Sequence, residues 1–162
     1  MELNAIAARA VALLRDRGLT VATAESCTGG MIAAALTDVA GASRVFGTGV
    51  VSYSCDCKMK LLGVSANTLA AEGAVCAVTA AQMAEGVRRV GDASIGVSVT
   101  GEAGPVAAEN HPVGTVFIGL ADGEGTVTEE HHFEGDRTAI RRQAACTVLS
   151  LLIRRLEGGA VC

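Results

Sequence analysis

Apolar residues at Leu3, Ile6, Ala7, Ala10, Val11 and Leu14 recur at the spacing of one helix face, and Gly18 follows them, so an amino-terminal helix is predicted. The next stretch, LTVATAE, is β-branched and small over the length of a strand. Helical spacing returns in MIAAALTDVAG, where Met31, Ile32, Ala35, Leu36 and Val39 share a face ahead of Gly41. GTGVVSYS reads as a second strand, followed by a short helix through Lys58 to Leu62 that closes at Gly63. Thr79-x-x-Gln82 has the form of a capping box, with Val78 and Met83 at the staple positions, which predicts a helix from about Ala80 to Gly91. ASIGVSVTG is almost continuously apolar, as in a strand buried on both faces, and leads into the loop EAGPVAAENHP. VGTVFIGLA and GTVTEEHHF flank DGEG, a hairpin signal. A last helix starts at the N-cap Asp136, turns Ile140, Ala144, Val148, Leu151 and Leu152 inward, and ends at Gly158-Gly159.

Early strands alternating with helices, then a hairpin, predict an α/β domain with a mixed sheet covered by helices on both sides. No repeat, linker or low-complexity tract divides the chain, so residues 1–162 are expected to form one domain.

Composition sharpens this picture. Half the residues are apolar, yet there are one Tyr, three Phe and no Trp, so the core must be built mainly from Ala, Val, Leu and Ile. A formal charge of -4 with no Lys/Arg run argues against nucleic acid as a partner. No apolar run reaches the roughly 20 residues of a membrane span. The amino terminus reads as an amphipathic helix and not as an export signal, so the chain is expected to be cytoplasmic, with Cys27, Cys55, Cys57, Cys76, Cys146 and Cys162 reduced. Cys55-x-Cys57 has no second Cys/His pair at ligand spacing, so the expectation is small core-filling cysteines and no metal.

The chemistry gathers where strands should end. In open α/β sheets ligands sit beyond the carboxyl ends of the strands, against helix N-termini. Ser26, Thr28, Gly29 and Gly30 fall at such a turn, one suited to a phosphate-bearing ligand or equally to a tight connection of small residues. Ser26 needs a base to act as a nucleophile. His111, His131 and His132 form no recognisable triad pattern, whereas Tyr53 and Lys58 follow the second strand and reach the same sheet end if the strands are parallel neighbours. A partly desolvated lysine can take a serine proton. Arg137 and Arg141, four apart on the last helix, can hold a phosphate or form ordinary surface ion pairs. Thr100-Gly101 and Gly104-Pro105 close a strand where a substrate amide or its oxyanion could be held.

In order and spacing, ATAESCTGG, GVVSYSCDCK, LLGV, EGAV, VTGEAGP, PVGTVFIGLA and FEGDRTAIRRQA resemble the CinA carboxy-terminal domain family, over essentially the whole chain. The resemblance implies a three-layer α/β/α sandwich, usually oligomeric and here expected to be a homodimer. It also implies hydrolysis of nicotinamide mononucleotide to nicotinic acid mononucleotide and ammonia, with no metal or cofactor. Larger members add an amino-terminal nucleotide-hydrolysing domain, for which 162 residues leave no room. By matching positions, Ser26 would be the nucleophile, Lys58 its base and Tyr53 a neighbour in their network. Thr100 and Gly101 would lie by the scissile amide, and Thr28, Gly29, Gly30, Arg137 and Arg141 would serve the ribose-phosphate. Three positions depart from the family pattern. Cys55 stands where an asparagine is usual, Glu102 where an apolar residue is usual, and Val106-Ala107-Ala108 replace a glycine-rich loop. A catalytically silent nucleotide- or protein-binding relative, or one acting on another amide or lactam, is the alternative expectation.

Overall fold

The computed structural model describes residues 2–158. In chain order its elements are α1 (Leu3–Arg17), β1 (Val21–Glu25), α2 (Met31–Thr37), β2 (Phe46–Val51), α3 (Cys55–Leu62), α4 (Ala66–Glu72), α5 (Ala77–Val90), β3 (Ile95–Gly101), β4 (Thr115–Asp122), β5 (Gly125–His132) and α6 (Arg137–Leu156), with a 3-10 turn at Ala42–Arg44. The sheet order is β2-β1-β3-β4-β5. Strand β1 runs parallel to both β2 and β3, while β4 and β5 return antiparallel, so the sheet is mixed as the pattern predicts. Helices α1, α2 and α6 pack together on one face and α3, α4 and α5 on the other, giving three layers.

The two faces are built differently. Toward α1 and α6 the strands present Val21, Ile95, Val97, Val99, Val116, Ile118 and Leu120, which join Ile6, Leu14, Leu149 and Leu152 in one apolar cluster. Toward α5 the intervening positions are small: Ala22 and Ala24 from β1, Gly96 and Ser98 from β3. Here α5 lies close against the strands. A Cβ on Gly96 would stand 2.2 Å from the Ala84 carbonyl, and the Ser98 hydroxyl donates to the Ala80 carbonyl at 2.6 Å.

Several element starts differ from the sequence reading. Helix α3 begins at Cys55 and not near Lys58, because the Ser54 hydroxyl accepts from the Cys57 amide and starts the helix early. Helix α5 begins at Ala77, capped by the Cys76 sulfur, which accepts from the Thr79 amide. The Thr79/Gln82 capping box is therefore not formed. The Thr79 hydroxyl donates to the Gly73 carbonyl, the Gln82 side chain bridges Ser65 and Thr68, and Val78 is exposed while Met83 is buried. Helix α2 stops at Thr37, yet Val39 still packs against the core. The hairpin is tighter than DGEG suggested, with only Gly123 and Glu124 between strands and the Glu124 amide donating to Asp122 at 2.8 Å. Asp136 caps α6 as expected, through the Ala139 amide.

The cysteines are not uniformly core fillers. Cys27 is buried and Cys146 packs partly against the core, but Cys55 is exposed and Cys57 and Cys76 are intermediate. Cys162 and Gly159 lie outside the described residues. Among the described residues no group of three or more His, Cys, Asp or Glu is placed to hold a metal, and no helix is long and apolar enough to cross a membrane.

Candidate active site

Because β1 is the middle of three parallel strands, its end pairs with the ends of both neighbours: Glu25 lies opposite Val51 of β2 and Val99 of β3. The next residues are stitched together. The Ser26 amide donates to the Val99 carbonyl at 3.1 Å, and the Ser52 amide donates to the Glu25 carbonyl at 2.9 Å. The segments that follow the three strands thus meet at one end of the sheet, where a cleft of about 200 Å³ opens. Ser26, Tyr53, Lys58, Thr100, Gly101 and Arg137 line it, so six of the ten predicted site residues converge. Wider clefts exist at the opposite sheet end around Asp122, Glu124 and Arg155, but there the charged side chains pair with one another and none of the predicted site residues lines them.

Lys58 is the most unusual residue of the cleft. Its side chain is 1% exposed, and its Nζ lies 2.8 Å from the Ser26 Oγ and 2.6 Å from the Ser52 carbonyl. Burial favours the neutral amine and lowers the lysine pKa below its ordinary value, although the thiols of Cys55, Cys27 and Cys57 and the carboxylate of Glu109 pull the other way. The Ser52 carbonyl is an acceptor only, so it fixes one N–H and aims the amine at Ser26. A neutral amine at 2.8 Å from a serine hydroxyl is within proton-transfer reach. The neighbouring Cys27 is no rival nucleophile, since burial pushes its thiol up to about 12.

The turn after Ser26 is built around an internal carboxylate. The anion at the start of α2 is the chain's own. The buried Glu25 carboxylate accepts from the Thr28 hydroxyl at 2.6 Å, the Ile32 amide at 2.9 Å and the Ala33 amide at 3.0 Å. Gly29 and Gly30 supply positive φ values of 59° and 100° that let the chain turn into the helix. Arg141 donates to the Cys27 and Thr28 carbonyls, both at 3.0 Å. Thr28, Gly29, Gly30 and Arg141 are accordingly absent from the cleft lining and build the turn that presents Ser26. In this arrangement an internal carboxylate takes the Ile32 and Ala33 amides, and two carbonyls take the Nε and one Nη of Arg141.

Arg137 does face the cleft, donating to the Gly104 carbonyl at 2.6 Å and to the Tyr53 hydroxyl at 2.8 Å. Thr100 spends its proton on the Ala74 carbonyl at 2.8 Å, so toward a ligand its oxygen can only accept, as the NH2 of a carboxamide requires. Glu102 lines the cleft, with its carboxylate held by the loop that follows. It is 4% exposed and accepts from the Ala108 and Glu109 amides at 2.8 and 2.9 Å. Glu109 in turn accepts from the Ala74 and Val75 amides. Sequence reasoning missed Glu25, Glu109 and the Ala74-Val75 segment. For Glu25 a signal existed, a carboxylate ending an otherwise apolar strand; for Glu109 none did.

Comparison with known proteins bears on the fold and its family. The family model described as the CinA C-terminal domain matches residues 3–156. A CinA-like protein of Frankia casuarinae is 51% identical over 146 residues, covering 90% of this chain and 34% of its own. One of Geobacter sulfurreducens is 47% identical over 154 residues, covering 94% of this chain and 37% of its own. This chain thus spans little more than a third of the length of the curated relatives it matches. Among solved structures, a CinA superfamily protein from Klebsiella pneumoniae superposes with a TM-score of 0.95 at 33% identity, over 98% of this chain and 99% of that one. A competence/damage inducible protein from Agrobacterium tumefaciens gives 0.90 at 40% identity, over 96% and 95%.

Proposed function

Since the chain belongs to the CinA C-terminal domain family, we propose that it is an amidohydrolase that converts nicotinamide mononucleotide to nicotinic acid mononucleotide and ammonia, with Ser26 as nucleophile and Lys58 as base. The observation that carries the reading is the buried 2.8 Å contact between the Lys58 amine and the Ser26 hydroxyl at the mouth of three strands. A lysine kept out of water and aimed by a carbonyl has little structural purpose unless its neutral form is used.

In this mechanism Ser26 Oγ attacks the carboxamide carbon while the Lys58 Nζ takes the hydroxyl proton. The tetrahedral adduct collapses as the Lys58 ammonium returns that proton to the leaving nitrogen, and ammonia departs. Water then attacks the acyl ester with Lys58 again as base, Ser26 Oγ regains a proton, and the carboxylate product leaves. Thr100 accepts from the substrate NH2, and Arg137 is the cation that lines the cleft.

One observation favours a second reading, an altered substrate or binding without turnover. The cleft volume of about 200 Å³ is below the roughly 300–1,000 Å³ usual for small-molecule sites, and the loop held by Glu102 and Glu109 forms part of its wall. The test is ammonia release from nicotinamide mononucleotide by the full chain, with Ser26→Ala beside it. Release that vanishes in the variant is expected. Binding without release selects the second reading, and equal release by both proteins refutes the role of Ser26.

A further inference from the structure

The loop before α5 carries an amide pair built to hold an anion. The Glu109 carboxylate accepts from the Ala74 amide at 2.7 Å through Oε1 and from the Val75 amide at 3.0 Å through Oε2. These amides precede the cap Cys76 and are not part of the helix's first turn. Their direction is fixed without Glu109. In a trans peptide the N–H points opposite to the C=O of the same plane, so whatever holds the carbonyl orients the amide. The Thr79 hydroxyl holds the Gly73 carbonyl at 2.7 Å, which orients the Ala74 N–H, and the Thr100 hydroxyl holds the Ala74 carbonyl at 2.8 Å, which orients the Val75 N–H. Two buried threonines on separate elements therefore preset two parallel donors. Gly73 leaves room for what they hold: its φ is +82°, and a Cβ there would stand 2.7 Å from a Glu109 carboxylate oxygen.

The occupant comes from a connecting loop, whereas the threonines that set its holders lie in α5 and β3. Glu109 sits on the loop between β3 and β4, and that loop is tied back through its own amides at 108 and 109 to Glu102. Ala74, Val75 and Glu109 line the same cleft as Ser26, Lys58 and Arg137.

We propose that the Ala74-Val75 amide pair is the phosphate subsite of this cleft, and that Glu109 occupies it in the free protein until a phosphate-bearing ligand displaces it. The choice of phosphate rests on the mononucleotide reading above; the amide pair does not. Displacement lowers apparent affinity by the fraction of time the site is open, so removing the carboxylate raises it.

The test is an amide NMR titration of the full chain with inorganic phosphate, in wild type, Glu109→Ala and Glu109→Gln. The Ala74 and Val75 cross-peaks are expected to shift in all three, with apparent affinity on the order of tenfold higher in Glu109→Ala and a smaller gain in Glu109→Gln. In parallel, KM for nicotinamide mononucleotide falls in Glu109→Ala while kcat changes less. Unmoved Ala74 and Val75 peaks in an otherwise native variant overturn the proposal, as does a raised KM, which is what loss of a purely structural tie gives. Should Glu109→Ala misfold, Glu109→Gln decides alone, and no gain in its phosphate affinity is a refutation. If no protein releases ammonia, the amidohydrolase reading fails, and the phosphate titration still decides the subsite.

Discussion

Glu25→Gln tests whether an internal anion builds the nucleophile's turn. The wild-type carboxylate is almost fully buried and accepts three hydrogen bonds, from the Thr28 hydroxyl and the Ile32 and Ala33 amides. A glutamine keeps one acceptor oxygen, which can serve Thr28 and Ile32, and turns its NH2 toward the Ala33 N–H. That leaves one buried donor facing another. Hydrogen bonds to charged groups contribute about 1.5–3 kcal/mol each, and an unsatisfied buried donor costs about 1–3 kcal/mol. Loss of a charge at a helix N-terminus adds up to about 1 kcal/mol. Against these stands relief of the carboxylate's own desolvation, so a net loss of about 3 kcal/mol is expected. With a urea slope of about 2 kcal/mol/M the midpoint falls by roughly 1.5 M. Thr28→Ala removes only the hydroxyl bond to the carboxylate and should cost about 1.5–2 kcal/mol. Because Ser26 directly follows Glu25, kcat should fall in Glu25→Gln even below its unfolding transition. A Glu25→Gln protein within 1 kcal/mol of wild type, or one no less stable than Thr28→Ala, refutes the reasoning.

Four further outcomes follow from the geometry. The active form of Lys58 is the neutral amine and burial lowers its pKa, so ammonia release should rise with pH with a midpoint below the ordinary lysine value of 10.5; a midpoint at or above that value rejects Lys58 as the base. The same depressed value means the unfolded chain binds the extra proton more readily, so Lys58 contributes a rise in stability with pH between its folded value and 10.5; Cys27, raised from 9.0 to about 12, opposes it above pH 9, and the Lys58 part is read as the difference between wild type and Lys58→Met in pH-dependent urea melts. Gly96→Ala places a Cβ 2.2 Å from the Ala84 carbonyl and 2.8 Å from the Arg88 Cβ, and should lower stability by about 2–3 kcal/mol in urea; less than 0.5 kcal/mol would mean α5 does not rest this close to β3. Iodoacetamide near pH 8 should modify the exposed Cys55 while Cys27, buried and with its thiol pushed up to about 12, stays intact by peptide mass spectrometry; the reverse order of labelling contradicts the fold of the nucleophile loop.

Periodicity located the elements whose burial is one-sided or complete. Helix α1, strands β1 and β3 and the inner face of α6 show in the sequence because each apolar position is there to be covered. Helix α4 escaped because it buries no residue, so ANTLAAE has no period to find. The start of α5 was misread because a thiol does the capping, and the residues that look like a capping box are used across to other loops. At the site, the strand-end rule brought Ser26, Lys58 and Thr100 together without any contact information, since parallel strands deliver their following residues to one edge. What the sequence could not show is whether an anion-holding turn holds a ligand or a neighbouring glutamate. Glycines and small hydroxyls look the same in both cases, and only the 2.6–3.0 Å contacts of Glu25 separate them.

The same device recurs around the cleft, and its repetition bears on substrate recognition. Glu25 holds the amides of Ile32 and Ala33, Glu102 those of Ala108 and Glu109, and Glu109 those of Ala74 and Val75. The cations are committed in the complementary sense, Arg141 to two carbonyls and Arg137 to one carbonyl and a tyrosine hydroxyl. For each of these groups an incoming phosphate must compete with an internal partner. The competition is unequal. Glu25 belongs to a buried central strand and cannot leave without unmaking α2, whereas Glu109 is carried by a loop whose departure leaves the threonine-held amides in place. Arg137 is likewise replaceable at Gly104 by water, while Arg141 is wedged under the nucleophile. On the proposed reading, phosphate recognition falls to the Ala74-Val75 pair and Arg137, on the loop side of the cleft, and the turn after Ser26 is left to hold the nucleophile still.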